Sequence, residues 1–297
     1  MPFYCDPTLV GGFAVQPSEL ADGSDAALFR LFVAMSMFQA QRDVVIMRRQ
    51  GSMTRSAVRV LTDESLVGRA IRRHRCSALS SADAFEHECD VVKHGDAVDC
   101  GRHPEVRCHV KDATVAFNRM GDMGKLPTSA WLLFWQGGGV HRVLDEVRRE
   151  EASPGKRAVA LVRRFERVQR VGRKLATMFV SALTTPALAP GLTPWFPDID
   201  GNDLVVVDTN VARAVDALRP AGAVATYDAR ERWIRDQAVQ VDLRAFHPKV
   251  PSYSPRLLQQ ALYAFCSKSN RSAAGDACAV RAARCATCIP PVCPFAR

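Results

Sequence analysis

The chain has 297 residues, 47% hydrophobic and 24% charged, enough to bury a sizeable core in two modest domains. Its 40 Lys and Arg exceed its 31 Asp and Glu by nine, which favours an anionic partner. No apolar run approaches the roughly 18 residues of a membrane span, and the start Met1-Pro2-Phe3-Tyr4-Cys5-Asp6 lacks the basic and apolar regions of a signal peptide. An intracellular, reducing location is therefore expected, with the ten cysteines as thiols or metal ligands rather than disulfides.

Residues 1 to 24, rich in Pro, Gly and small side chains, read as an arm. From Asp25 the pattern is helical, with Leu28, Leu31, Phe32, Met35 and Phe38 on one face. A polar run from Gln39 through Gln41 to Asp43 interrupts it, and helical spacing returns from Ala57 to Ile71. The segment from His74 to His109 differs in character, mixing Cys76, Cys89, Cys100 and Cys108 with five histidines. Pairs such as His74-x-Cys76 and Cys100-x2-His103 invite a zinc reading. Their gaps fit no standard zinc module, and a free cysteine is commonly buried as a small hydrophobe. The segment therefore reads as a structural insertion.

Residues 110 to 150 read as helices broken at Gly121, at Gly124 to Pro127 and at Gln136-Gly137-Gly138-Gly139. The triple glycine is expected to be a plain loop, and Trp131 and Trp135, four apart on one helix face, are expected in the core. Two amphipathic helices follow, one through Ala158, Leu161, Val162, Phe165 and Val168, the other through Leu175, Met178, Phe179 and Leu183. The turn between them holds Gly172, which suits a left-handed backbone. Between Lys156 and Lys174 stand eight Lys or Arg and one acid, Glu166. A basic helix–turn–helix pair with an open helix N-terminus suits a nucleic-acid backbone.

A proline-rich stretch, 184 to 203, comes next, and its Trp195 and Phe196 are candidates to stack on an extruded base. Leu204 to Val207 is the only strand-like run in this reading, and no repeated strand–helix alternation surrounds it. Asp208 then opens a helix that runs to Arg219-Pro220, a position where free N–H groups hold a carboxylate. A last helix carries Leu257, Leu258, Ala261, Leu262 and Phe265. Beyond it lies Cys278-x6-Cys285-x2-Cys288-x4-Cys293, four thiols close enough to form one metal site. Such a set suits zinc or an iron–sulfur cluster, and spacing does not choose between them.

Three stretches, Val171-Gly172-Arg173-Lys174, Val207-Asp208-Thr209-Asn210-Val211 and the C-terminal cysteines, together resemble the helix-hairpin-helix DNA glycosylases of the endonuclease III family. That family writes them L-P-G-V-G-R-K, V-D-T-H/N-V and C-x6-C-x2-C-x5-C. The resemblance covers 156–218 and 255–293, and 25–50 more loosely. Arg170 stands where the family has its first hairpin glycine, the last cysteine gap is one residue short, and 74–109 and 184–203 are insertions.

The resemblance implies an all-α fold of two helical domains with the active-site cleft between them. Residues 25–215 would carry the hairpin, and 1–24 with 216–297 the cluster loop. It implies Lys174 as the nucleophile and Asp208 as the catalytic carboxylate. Gln39 or Gln41 would enter the DNA, Arg170, Val171, Gly172, Arg173 and Arg284 would hold phosphates, and Trp195 would border the base pocket. Cys278, Cys285, Cys288 and Cys293 would hold a [4Fe–4S] cluster, with zinc the alternative. The implied activity is excision of a damaged or modified base from double-stranded DNA, followed by cleavage of the abasic strand, by a monomer. A non-catalytic iron–sulfur DNA-binding or redox-sensing protein on the same fold is the alternative, and the presence of both Lys174 and Asp208 speaks against it.

Overall fold

The structure, a computed structural model, describes residues 12, 14–37, 43–117 and 121–267. Gln39, Gln41, Arg284 and the cysteines at 278, 285, 288 and 293 lie outside the described residues. The chain is predominantly helical, as expected, and among the described residues none of its helices is long and apolar enough to cross a membrane.

The first helices are α1 (Pro17–Ala21), α2 (Asp25–Ser36), α3 (Asp43–Gly51), α4 (Arg55–Thr62) and α5 (Glu64–Arg73). The single helix expected over 57–71 is thus two. Asp63 separates them because its carboxylate accepts the N–H groups of Ser65 and Leu66 and starts α5 as an N-cap. Those bonds and Arg59 outweigh the upward push of burial and bring the Asp63 carboxyl down to about 2.

The 74–109 segment holds α6 (Ala82–Glu88) and an antiparallel pair, β1 (Val91–His94) and β2 (Ala97–Cys100), in register Val91 with Cys100 and His94 with Ala97. This hairpin is a correction to the sequence reading. Its signal was present in the two-residue Gly95-Asp96 turn, where Gly95 takes φ +59°. Leu204 to Val207, expected as a strand, is extended chain with no strand partner among the described residues.

Next come α7 (His109–Ala116), α8 (Lys125–Ala130) and a π-helical turn over Trp131–Trp135. The triple glycine is a loop between helices, as expected, with a turn through Gly137 and Gly138, and Gly139 opening the next helix. Gly138 and Gly139 take φ +109° and +79°, and the Asp25 carboxylate accepts the Val140 N–H at 2.7 Å. A Cβ at Gly139 would lie 2.2 Å from Asp25 Oδ2, so no other residue fits without displacing that cap. The remaining helices are α9 (Gly139–Glu150), α10 (Pro154–Phe165), α11 (Arg173–Thr184), α12 (Thr209–Leu218), α13 (Tyr227–Ala238) and α14 (Pro255–Cys266).

Two hydrophobic cores result. The larger gathers α2, the π-turn, α9, α10 and α11 around an aromatic cluster, with Phe32, Phe165 and Phe179 mutually 4.9–5.1 Å apart. Each such pair adds about 0.5–1.5 kcal/mol beyond area burial. Ala14, Val15 and Leu20 join this core, although the sequence reading grouped residues 1–24 with the C-terminal helices. The smaller core is Val205, Val207, Val211, Val215, Ile234 and Tyr263, drawn from the 205–207 segment, α12, α13 and α14. Adjacent residues of the extended segment serve different cores, with Val206 in the larger and Val205 and Val207 in the smaller. The period-2 alternation of extended chain therefore stitches the two together just before Asp208.

Candidate active site

The hairpin between α10 and α11 has the expected helices and an unexpected turn. Val171 N–H bonds the Val168 carbonyl at 3.0 Å, and Gln169 N–H is held by Ser129 Oγ at 3.0 Å. The left-handed residue is Arg170, with φ +68°, and not Gly172, which is extended at φ −92°. This corrects the expected role of Gly172. The left-handed conformation falls on the position where the resembling family has its first glycine. A non-glycine residue is strained there unless anchored, and the Arg170 guanidinium is ion-paired with buried Asp122. Gly172 is the N-cap of α11, and the space its missing Cβ would fill is empty. The N–H groups of Arg173 and Lys174 precede the first intrahelical acceptor and are open to an anion.

The basic stretch is half neutralised by acids distant in sequence. Arg157 pairs with Asp198, Arg164 with Glu150, Arg170 with Asp122, and Arg173 with Asp228 and Glu231. Lys156, Arg163, Arg167 and Lys174 have no acidic partner among the described residues and are exposed. Arg173, expected on a phosphate, is thus occupied. Its guanidinium also sits 4.9 Å over the Tyr227 ring, and buried Glu231 shares a second arginine, Arg235, at 2.6 Å. Burial would lower the Arg173 guanidinium, but Glu231, Asp228 and Tyr227 outweigh that and hold it above its ordinary range.

Asp208 is the N-cap of α12. Its Oδ1 accepts the Val211 N–H at 2.8 Å, and Oδ2 has no hydrogen-bond partner among the described residues. The residues leading into it are clamped by Tyr227, whose hydroxyl accepts the Val207 N–H and donates to the Val205 carbonyl, both at 3.2 Å.

Lys174 and Asp208 line one half-open pocket, together with Met178, Val206, Arg256, Gln259, Gln260 and Tyr263. The last four are residues that sequence reasoning missed. They lie on α14 at positions i, i+3, i+4 and i+7, a polar stripe of helical period. All four are buried, whereas Leu257, Leu258, Ala261, Leu262 and Phe265, whose spacing marked this helix in the sequence, are half-buried or exposed. The signal was legible as a second stripe, and the apolar one masked it. Arg256 is 2% exposed and donates to Ser181 Oγ at 3.0 Å, to Gln260 Oε1 at 3.0 Å and to Gln259 Oε1. Those bonds fix both amides side by side on the pocket wall.

Trp195 is not in this pocket. It is 4% exposed in the larger core, edge-on to Phe179 at 6.0 Å, so it cannot stack on a base without leaving that core. Phe196 is exposed. The expectation for Trp195 is corrected: aromatic residues in a proline-rich loop are as well explained by the loop's own packing. Trp131 and Trp135 are buried, as expected. No protein-family model matches the chain, and neither a curated protein nor a solved structure matches it.

Proposed function

We propose that this chain is a DNA N-glycosylase with AP lyase activity, built on a helix-hairpin-helix glycosylase fold. The observation that carries the reading is the meeting of an amine and a carboxylate, Lys174 and Asp208, in one pocket at the starts of two different helices. The left-handed turn at Arg170 and the open N-terminus of α11 support it, since together they present backbone N–H groups and a basic surface to a phosphate.

In this reading the target nucleotide leaves the stack and its sugar enters the pocket. Positive charge builds on the sugar as the N-glycosidic bond breaks, and Asp208, one oxygen held by Val211 and the other unbonded within the described residues, stabilises it. The Lys174 amine bonds to the sugar carbon as the base leaves with the electron pair of the broken bond. Loss of a proton and opening of the ring then give a Schiff base. β-Elimination cleaves the strand on the 3′ side. Gln259, Gln260 and Tyr263 make the wall beside the base polar.

The C-terminal cysteines at 278, 285, 288 and 293 are a chemically suitable donor set for a [4Fe–4S] cluster, and also for zinc. Arg284, beside Cys285 in the sequence, would bring positive charge for DNA to such a site. The partner proposed is duplex DNA bearing a modified base, met inside the cell by a monomer. Incubation with abasic-site duplex and borohydride tests the reading. A covalent protein–DNA adduct that vanishes in Lys174→Ala is expected. An undiminished adduct in that variant would assign the nucleophile elsewhere, and no adduct at all would favour a non-catalytic binder.

A further inference from the structure

The 74–109 segment carries a second cluster of chemistry, independent of the pocket above. Cys76, Cys89, Cys100 and Cys108, with His74 and His103, line one small pocket. Their spacing, C-x12-C-x10-C-x7-C, resembles no standard module, and the fold is what brings them together. Cys76 precedes the 3₁₀ turn Ser77–Leu79, Cys89 caps the end of α6, Cys100 ends β2 opposite Val91, and Cys108 is the N-cap of α7.

We propose that these four thiols form a structural zinc site that staples the insertion. At Cys108 a backbone donor already faces the sulfur, which accepts the Lys111 N–H at 3.5 Å. A donor so placed stabilises negative sulfur. His74 Nδ1 is buried with no hydrogen-bond partner, which a thiolate acceptor would supply. Positive charge also stands close by. Lys125 Nζ is 2.6 Å from the Cys89 carbonyl, Lys111 Nζ is 2.8 Å from the Pro104 carbonyl, and Arg102 bridges Glu88 and Asp90 at the rim. Arg102 and Lys125 are themselves paired with acids, which leaves Lys111 as the cation that offsets the negative charge of four thiolates around Zn²⁺.

The insertion's short helix and two-stranded hairpin pack on the larger core through Phe85, Val91 and Cys100, and a metal would add a cross-link to that packing. Among the described residues no three ligating side chains are yet gathered around a common point. Binding therefore requires the thiols to rotate inward from the pocket wall and to release four protons. That coupling of ligation to local ordering is usual for structural zinc.

The test uses the full chain. Elemental analysis of protein from zinc-supplemented cells should find zinc that the double variant Cys89→Ser/Cys108→Ser lacks, while iron is unchanged. Because that variant risks misfolding, alkylation of the unmutated chain by iodoacetamide provides the second reading. Zinc should slow reaction at all four thiols by about tenfold or more, since a metal-bound thiolate is withdrawn from attack. A chelator should expose them together, with buried Cys266 unaffected. Equal alkylation with and without zinc, or the same zinc content per chain in the double variant as in the unmutated protein, overturns the proposal.

Discussion

Tyr227 and Arg173 form a cation–π pair, with the guanidinium carbon 4.9 Å from the ring centroid. The same tyrosine bonds the backbone of Val205 and Val207 through its hydroxyl. One side chain of α13 thus braces the residue next to Lys174 and the segment that delivers Asp208. The amine and the carboxylate are braced through a third element, α13.

Tyr227→Phe keeps the cation–π contact and removes both hydroxyl bonds. At about 0.5–1.5 kcal/mol for each neutral hydrogen bond, stability should fall by about 1–3 kcal/mol, read by urea denaturation. Base excision should fall further than that loss explains, because the Asp208 cap shifts. Full activity in Tyr227→Phe would show that the clamp does not position the carboxylate.

The carboxylate itself is tested by Asp208→Asn. Asparagine is also a good N-cap, so fold and DNA binding should survive while excision drops by a factor of about 100 or more, as for loss of a transition-state charge partner. Retained turnover in a folded Asp208→Asn protein would remove the carboxylate from the mechanism.

Much of this was legible in the sequence. The helix pair, the N-cap role of Asp208 and the helix ends at Leu218 and Cys266 follow from apolar spacing and capping chemistry, which are local properties. The charge of the hairpin was not legible. Eight basic residues look like an uncompensated surface until Asp122, Glu150, Asp198, Asp228 and Glu231 fold against four of them. The polar stripe of α14 was hidden for a related reason. Periodicity says that two faces differ, and in this helix the polar one is buried because Arg256, Gln259 and Gln260 satisfy one another. Arg170 could not be placed either, since its left-handed backbone is tied down by a partner far back in the chain.

That half-neutralisation makes a prediction about salt. Log affinity for duplex DNA should fall against log salt with a slope of about −0.9 per phosphate contacted. Lys156→Gln, Arg163→Gln and Arg167→Gln should each make the slope shallower, by up to about one unit for a residue that contacts a phosphate. Arg157→Gln and Arg164→Gln should leave it nearly unchanged, because those charges are already paired. An equal effect from both sets would mean that the ion pairs open on DNA.

Acid should loosen the hairpin anchor. Burial alone would raise the Asp122 carboxyl, but Arg170 and Lys125 outweigh it and hold it below its ordinary range. A carboxyl depressed on folding stabilises the protein fully above its unfolded value, and that contribution is lost as pH falls through the folded value. Asp122→Asn should therefore destabilise the protein by about 1–3 kcal/mol at neutral pH. The difference from the unmutated chain should shrink as pH drops through the carboxylate range. Denaturation curves collected across pH check this, and a gap that stays constant into strong acid would place the contribution in something other than the ionised pair.

In the proposed reaction the pocket wall on α14 selects the base. Gln259 and Gln260 have their carbonyl oxygens engaged by Arg256, and amides so fixed hold a defined orientation on the wall. A base whose edge complements that wall is favoured over one that leaves polar groups mismatched, by about 1–3 kcal/mol for each mismatch. Gln260→Leu should lower kcat/KM for the preferred modified base by about 10- to 100-fold. Cleavage of a plain abasic site involves no base, so it should fall far less. Comparing the two rates on matched duplexes separates recognition from chemistry. Equal losses on both substrates would mean that Gln260 supports the pocket's structure and does not read the base.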